Sequence, residues 1–261
     1  MNDLFRLDGR TAFVSGAAGH LGSAMARALC AAGAHVILNG RGEARLAALR
    51  DRLRAQGWSA EHAAFDIADF ARVRDFFSGL PRLDVLVNNA VTMTPRPFEA
   101  LDAADFALTY ASGVTSAFES VRAARPALAR AAEAAGDASV VNISSMYGSV
   151  SPDRRIYAEP GQASPFHYGP AKAALLQLTR HLAAELGPER IRVNALTPGP
   201  FPRDEVAASD PAFAGRLAAR TMLGRTGNPE EMSGPLLFLA SRASSYVTGA
   251  VVAVDGGWTA W

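Results

Sequence analysis

Tyr168 stands four residues before Lys172 in the stretch 164–180, "SPFHYGPAKAALLQLTR", where an apolar helical pattern begins. A phenol and an amine at that spacing can work as a proton-transfer pair. A free tyrosine titrates at about pH 10 and is a sluggish base at neutrality. A nearby ammonium stabilises the phenolate and lowers that value. Residues i and i+4 share one helix face, so the two side chains can meet. Pro170 lacks an N–H and is best tolerated in a first turn, which puts the helix start close to Tyr168. The phenol then stands near the positive end of the helix dipole, a second push toward phenolate. The same spacing also arises by chance on surface helices, so the case depends on the elements that hold the pair.

Those elements alternate. Strands are predicted at 11–15, 35–38, 59–64, 85–88, 139–143, 192–196 and 251–254. "VLVN", "VVNI" and "VVAV" are continuous apolar runs, the pattern of strands buried on both faces. Helical patterns lie between them. In "EARLAALRDRLRAQG", Leu46, Leu49 and Leu53 form an apolar stripe, the arginines face water and Gly57 marks a stop. Strand–helix alternation implies right-handed crossovers and a parallel sheet with helices on both faces. There is no internal repeat, low-complexity linker or domain boundary, so one domain over 1–261 is expected.

Bulk properties narrow the partners. The 261 residues are 49% apolar and 20% charged, enough for a sizeable core. The net charge is +1, without a basic stripe, which gives nucleic-acid or membrane-surface binding no electrostatic support. Cys30 is the one cysteine, so no disulfide within the chain and no cysteine-based metal cluster is expected. The start, "MNDLFRLDGR", lacks a signal-peptide apolar region, and no apolar run approaches a membrane span. A cytoplasmic location is the expectation.

The turn in "TAFVSGAAGHLGSAMARALCAAG" follows the first strand and opens a helix. Gly16, Gly19 and Gly22 lie where the chain turns sharply and offers backbone N–H groups to an anion at a helix N-terminus. With a second strand following, this context reads as a Rossmann-type, doubly wound α/β fold. The turn resembles the Thr-Gly-x-x-x-Gly-x-Gly fingerprint of the short-chain dehydrogenase/reductases. Ser15 and Gly16 match its start and Gly22 its end, with Leu21 just before, while His20 occupies the middle glycine position. His20 either hydrogen-bonds a phosphate or faces solvent at the helix start.

The resemblance extends over nearly the whole chain and implies a nicotinamide cofactor. At the end of the second strand an acid would accept from the 2′-hydroxyl of NAD, whereas a basic residue tolerates the 2′-phosphate of NADP. Here "VILNGRGEAR" places Asn39 where the acid would be, followed by Arg41, with no carboxylate until Glu43. A guanidinium suits a phosphate dianion, so NADP(H) is expected over NAD(H). Asp66 matches the family's adenine-contacting aspartate, with Ile67 beside it; it also reads as a helix N-cap, and both can hold. Asn89 and Ala90 in "NNA" match the motif after the fourth strand, with Val91 where glycine is usual. Pro198 and Gly199 match the turn beside the nicotinamide carboxamide.

By the same resemblance Ser145 is the catalytic serine, Tyr168 the general acid/base, and Lys172 also holds the nicotinamide ribose. Successive strand-end residues point oppositely, so only one of Ser144 and Ser145 can face the site. One member is missing. The family usually has an asparagine in the helix after "NNA" that helps hold a water linking the lysine to solvent. Aligning "DFALTYASGVTSAF" puts Gly113 there, with Ser112 about 100° around the helix. Either water and backbone complete the proton wire, or turnover is reduced.

Ser145 and Tyr168 are 23 positions apart, longer than most family members allow. The extra residues include Asp153, Arg154, Arg155, Tyr157, Glu159 and His167. The stretch is too polar and too rich in proline and glycine for an added core element, so 148–167 reads as a loop. It is either a surface or subunit contact, or a lid whose Arg154, Tyr157 and His167 meet an anionic or polyhydroxylated substrate. The segment 200–222 matches the family's mobile substrate lid and adds Phe201. "GPFPRDEV" and "VDGGWTAW" look most like members acting on sugar acids, such as gluconate 5-dehydrogenases. Three functions follow: ketone–alcohol interconversion on a small carbonyl or alcohol substrate, reduction of a 3-oxoacyl thioester, or a redox-silent NADP-binding role. The family implies a homotetramer, with the aromatic C-terminus against a partner.

Overall fold

The continuous apolar runs become strands of one parallel sheet. The protein is described by a computed structural model over residues 2–158 and 164–261. The strands are β1 (Thr11–Val14), β2 (His35–Gly40), β3 (Ala60–Ala64), β4 (Val85–Asn88), β5 (Ala138–Ile143), β6 (Ile191–Pro198) and β7 (Val251–Val254). All seven predicted segments are strands, with ends displaced by at most two residues. The sheet order is β3-β2-β1-β4-β5-β6-β7, and every neighbouring pair is parallel.

Helices α1 (His20–Ala31), α2 (Glu43–Ala55), α3 (Phe70–Ser78), α4 (Ala103–Tyr110), α5 (Ser116–Ala135), α6 (Tyr168–Leu186), α7 (Asp204–Ser209), α8 (Pro211–Ala219) and α9 (Ser233–Ala240) connect them. Successive strand residues point to opposite faces, and the core divides accordingly. Ala12 and Val14 pack with Met25 and Leu29 of α1, Leu46 and Leu49 of α2, and Leu236 and Leu239 of α9. Phe13 packs on the other face with Val73 and Phe77 of α3, Val121 and Leu128 of α5, and Leu182 of α6. Among the described residues no helix is long and apolar enough to cross a membrane, and no cluster of potential metal ligands occurs.

Two local expectations are corrected. Asp66 does not cap α3. It closes a turn by accepting from the Ala68 N–H at 2.9 Å, and Asp69 is the N-cap, accepting from Arg72 N–H at 3.1 Å. The chain needs that extra turn to leave β3 before the helix can begin. The helix after "NNA" also does not keep the 3.6-residue period: α4 and α5 are joined by a π-helical turn, Ala111–Thr115, that contains Gly113. Such turns occur frequently at functional sites.

The chain winds from β1 outward to β3, then returns through β4 to build the other half. The carboxyl ends of β1 and β4 therefore flank a switch point, where a crevice forms. A buried polar ladder anchors α6 beneath it. Asn88 Nδ2 donates to Asn142 Oδ1 at 2.9 Å, Asn142 Nδ2 to Thr179 Oγ1 at 2.9 Å, and Thr179 to the Leu175 carbonyl at 2.8 Å. Each polar atom used is paired, so the ladder ties β4, β5 and α6 together without leaving a buried group unsatisfied.

Candidate active site

A cleft of about 530 Å³ runs across the switch point. One end is the glycine turn. Gly16 has φ +65°, a region that disfavours side chains, and a Cβ on Gly22 would lie 2.2 Å from Gly16 O. The bare backbone lets α1 start close against the turn. Gly19 is its N-cap, with no side-chain cap and no acidic residue in the first turn. The first amides of the helix, including those of His20, Leu21 and Gly22, have no intrahelical acceptor and are open to an anion. His20 does not simply face solvent. Its Nε2 is buried without a partner among the described residues, and the residue lines the cleft.

Farther along, Asn39, Arg41, Asp66 and Ile67 line the cleft. Asn39 is fully buried and gives its Nδ2 to the carbonyls of Ala63 at 3.0 Å and Phe65 at 3.2 Å, leaving Oδ1 unpartnered among the described residues. Arg41 is exposed and 3.9 Å from Asp66. Arg45, one helical turn farther, lines the same wall. Sequence reasoning passed over Arg45 as one of the water-facing arginines of α2. Its signal was its position, four residues after Arg41 at a helix start.

Ser15 does not line the cleft. It braces it: its Oγ accepts from the N–H groups of Asn89 at 2.9 Å and Ala90 at 3.0 Å and donates to Val87 O at 3.3 Å. Asn89 and Ala90 form the wall, with Pro198 and Gly199 opposite. A Cβ on Gly199 would lie 2.5 Å from Asp255 Cα, so only glycine fits there.

At the other end Ser145, Tyr168 and Lys172 converge. The helix α6 begins at Tyr168, as Pro170 requires. Ser144 turns into the fold and donates to Lys172 O at 2.8 Å, while Ser145 lines the cleft with Tyr168. Ser145 Oγ also accepts from the Tyr147 N–H at 3.2 Å. The Lys172 amine donates to Ile143 O at 2.7 Å and lies 5.5 Å from the centre of the Tyr168 ring. Burial pushes the Lys172 pKa down to about 8. The expected fall in the phenol pKa is corrected: desolvation pushes it up, and the nearby Ser145 hydroxyl only opposes this. The ammonium meant to stabilise a phenolate is itself desolvated and bonded elsewhere.

Gly113 faces Val91. A Cβ on Gly113 would stand 3.2 Å from Val91 Cγ2. The two departures from the family pattern therefore touch: the valine fills the space that a side chain at 113 would enter. Ser112 lines the cleft and holds its wall, accepting from Thr92 N–H and donating to Leu108 O, both at 2.9 Å.

Of the residues expected at the substrate, Phe201 lines the cleft and three do not. His167 is completely buried, bonded to Thr109 and Thr94. Arg154 is exposed on a short turn, Arg154–Ile156. The Tyr157 and Tyr147 hydroxyls are hydrogen-bonded to each other at 2.9 Å, and Glu159 lies outside the described residues. The stretch is also not wholly polar loop. Ile156 is 3% exposed and builds a small core with Met146, Leu217 of α8 and Trp258. Arg216 donates to the Ile156 carbonyl, joining the insertion to α8. Trp258 is thus buried within its own chain, while Trp261 is exposed.

Comparison with known proteins agrees with this geometry. The family model described as "Enoyl-(Acyl carrier protein) reductase" matches residues 16–259. The rhamnolipids biosynthesis 3-oxoacyl-(acyl-carrier-protein) reductase of Pseudomonas aeruginosa is 36% identical over 264 residues, covering 99% of each chain. The gluconate 5-dehydrogenase of Gluconobacter oxydans is 35% identical over 263 residues, covering 98% of this chain and 97% of that one. A gluconate 5-dehydrogenase from Burkholderia cenocepacia, solved in complex with NADP and tartrate, superposes with a TM-score of 0.86 at 33% identity, covering 100% of this chain and 99% of that one. A seven-stranded parallel sheet with a glycine turn at its switch point, matched along almost its full length by named reductases and dehydrogenases, places this chain in the short-chain dehydrogenase/reductase family.

Proposed function

We propose that the protein is an NADP(H)-dependent oxidoreductase that interconverts a ketone and a secondary alcohol, with Tyr168 as general acid and base. One observation carries the reading. Ser145, Tyr168 and Lys172 meet in the same cleft as the uncapped helix N-terminus and Arg41 and Arg45. The cleft suits a dinucleotide phosphate: open amides and the His20 ring for the pyrophosphate, two guanidiniums for a 2′-phosphate. The bound NADP of the Burkholderia relative supports the same choice.

The nicotinamide ring supplies the hydride in reduction and accepts it in oxidation. In reduction charge develops on the carbonyl oxygen, and a proton must reach it. Tyr168 carries its proton at neutral pH, with desolvation raising its pKa further, and can deliver that proton. Ser145 has accepted one backbone N–H and keeps its own proton to orient the same oxygen. Lys172 spends one N–H on Ile143 O and has others for the ribose hydroxyls.

The gluconate dehydrogenase relatives and Arg203 at the cleft favour a sugar-acid-like substrate. A second reading, a 3-oxoacyl thioester, is favoured by the Pseudomonas relative and by exposed apolar groups. Met93 lines the cleft, and Phe98 and Phe166 are exposed with ring centres 5.1 Å apart. We also infer a cytoplasmic homotetramer, supported by exposed Leu108 and Phe118 on the helices flanking Gly113.

The test is NADPH oxidation with a panel of keto-aldonates, 3-oxoacyl thioesters and simple ketones, wild type against Tyr168→Phe. Turnover on one class, lost in Tyr168→Phe, is the expected result. Micromolar NADPH binding without turnover on any ketone would sink the reading and leave the redox-silent role.

A further inference from the structure

His167 lies one residue before Tyr168 and is completely buried. Its Nδ1 is 2.9 Å from Thr109 Oγ1, and its Nε2 is 3.2 Å from the Thr94 carbonyl. The Thr109 hydroxyl also reaches the Thr92 carbonyl at 2.9 Å. Phe106 of α4 meets the imidazole edge-on at 5.9 Å. One ring therefore joins three walls. It is the N-cap residue of α6, which carries Tyr168. It holds α4, which leads into the π-helical turn with Ser112. It holds the chain at 92–94, of which Thr92 and Met93 line the cleft.

Counting protons shows how tightly the walls are joined. A threonine hydroxyl has one proton, and a neutral imidazole has one. If Thr109 donates to Thr92 O, its oxygen must accept from Nδ1–H, and no ring proton remains for Thr94 O. If the ring carries its proton on Nε2, Thr94 O is served, Thr109 must donate to Nδ1, and Thr92 O loses its donor. Three contacts share two protons. In either arrangement the imidazole bonds Thr109, and one proton of the pair serves a carbonyl of the 92–94 segment. A fully buried imidazole has no water to fall back on, so these partners define its orientation.

We propose that His167 is a positioning residue for Tyr168: its imidazole locks the start of α6 to the 92–94 wall, so that the phenol meets the reacting oxygen at the right place. This rests on Tyr168 being the proton donor. His167 touches neither cofactor nor substrate in this account; it acts through the tyrosine beside it and the wall opposite.

The test compares wild type, His167→Phe, His167→Asn, His167→Gln and Tyr168→Phe as full-length proteins. Phenylalanine fills the space without hydrogen bonds. Asparagine keeps an amide near the Nδ1 position and glutamine near the Nε2 position. With the best ketone of the panel, His167→Phe is expected to lower kcat by about ten- to a hundred-fold, the cost of a misplaced reacting group. Its NADPH affinity by fluorescence titration is expected to fall much less than kcat, because the phosphate-facing groups, the α1 N-terminus, Arg41 and Arg45, lie on other elements. Asparagine or glutamine is expected to restore part of kcat. Unchanged kcat in a folded His167→Phe overturns the proposal, as does a fall in NADPH affinity that parallels the fall in kcat. If His167→Phe does not fold, the two amide variants carry the test, and both matching His167→Phe-like insolubility, or both retaining wild-type kcat, overturns it. Full activity in Tyr168→Phe would instead refute the assignment of Tyr168, and this proposal would fall with it; an inactive Tyr168→Phe beside a fully active His167→Phe would remove this proposal alone.

Discussion

Val91 and Gly113 should behave as one unit, and the coupling can be sized from their contact. Family members usually carry glycine and asparagine at these places. Here a Cβ on Gly113 would approach Val91 Cγ2 to 3.2 Å and Val91 Cβ to 3.8 Å. Gly113→Asn alone gains a few tenths of a kcal/mol from leaving glycine's poor helix propensity. Against that stands overpacking, about 1–3 kcal/mol when atoms are forced into a filled space. The net is a destabilisation of about 1–2.5 kcal/mol. In a Val91→Gly background the obstructing isopropyl group is gone, and Gly113→Asn becomes neutral or slightly stabilising. The double-mutant cycle should therefore give a coupling energy of about 1–3 kcal/mol, within the range for residues in contact. Urea denaturation of the four proteins measures it directly. The single Gly113→Asn variant should also melt several degrees lower, at about 2–4 °C per kcal/mol for a domain of this size. Additivity to within about 0.5 kcal/mol, or a stabilised Gly113→Asn single variant, would refute the reasoning.

Other consequences follow from named groups. Arg41→Ala and Arg45→Ala should each weaken NADPH binding by about 10–100-fold, the worth of a charge-assisted hydrogen bond, and leave NADH binding unchanged; equal losses for both cofactors in a titration would remove the 2′-phosphate assignment. Burial holds the Lys172 pKa at about 8, below its ordinary value, so the unfolded state binds the extra proton between about pH 8 and 10.5 and this term stabilises the fold as pH rises through that window. The stability of wild type relative to Lys172→Met, followed by urea denaturation, should improve across it, and a flat difference would count against the buried, depressed amine. Asp137 holds two buried guanidiniums, Arg10 at 3.1 Å and Arg192 at 2.9 Å. Asp137→Asn should cost about 3–5 kcal/mol, and a loss below about 1 kcal/mol would show that the arginines find other partners.

The strands and the glycine turn were legible because each is a local necessity. A strand covered on both faces must be apolar throughout, and a turn that brings α1 against Gly16 O has no room for a Cβ at Gly22. Tyr168, Lys172 and Ser145 were legible for a related reason: helix period and strand alternation decide which residues can share a side. Where neither period applies, the reading failed. In the stretch after Ser145 a histidine, a tyrosine and an arginine look alike as candidate substrate contacts. Which of them turns inward depends on contacts distant in sequence: Thr109 for His167, Tyr147 for Tyr157, α8 for Ile156. Ile156, a buried aliphatic side chain in that stretch, was the available sign that the loop had a small core of its own.

The Tyr168 pKa was not legible for a different reason, which bears on mechanism. Spacing along a helix brings an ammonium near a phenol, but it carries no information about what else the ammonium touches. In the fold the buried Lys172 amine donates to Ile143 O, while Tyr168 keeps part of its surface on the cleft. Desolvation acts on each separately. It weakens the lysine's charge and holds the proton on Tyr168, so the nearby charge that would favour phenolate is reduced by the same burial that opposes it. In the proposed mechanism Tyr168 therefore enters reduction with its proton in place. Oxidation needs the phenolate, and so must draw the proton out of Tyr168 against its environment. That asymmetry belongs to the packing around the pair, above all the buried Lys172 amine, which periodicity in the sequence does not encode.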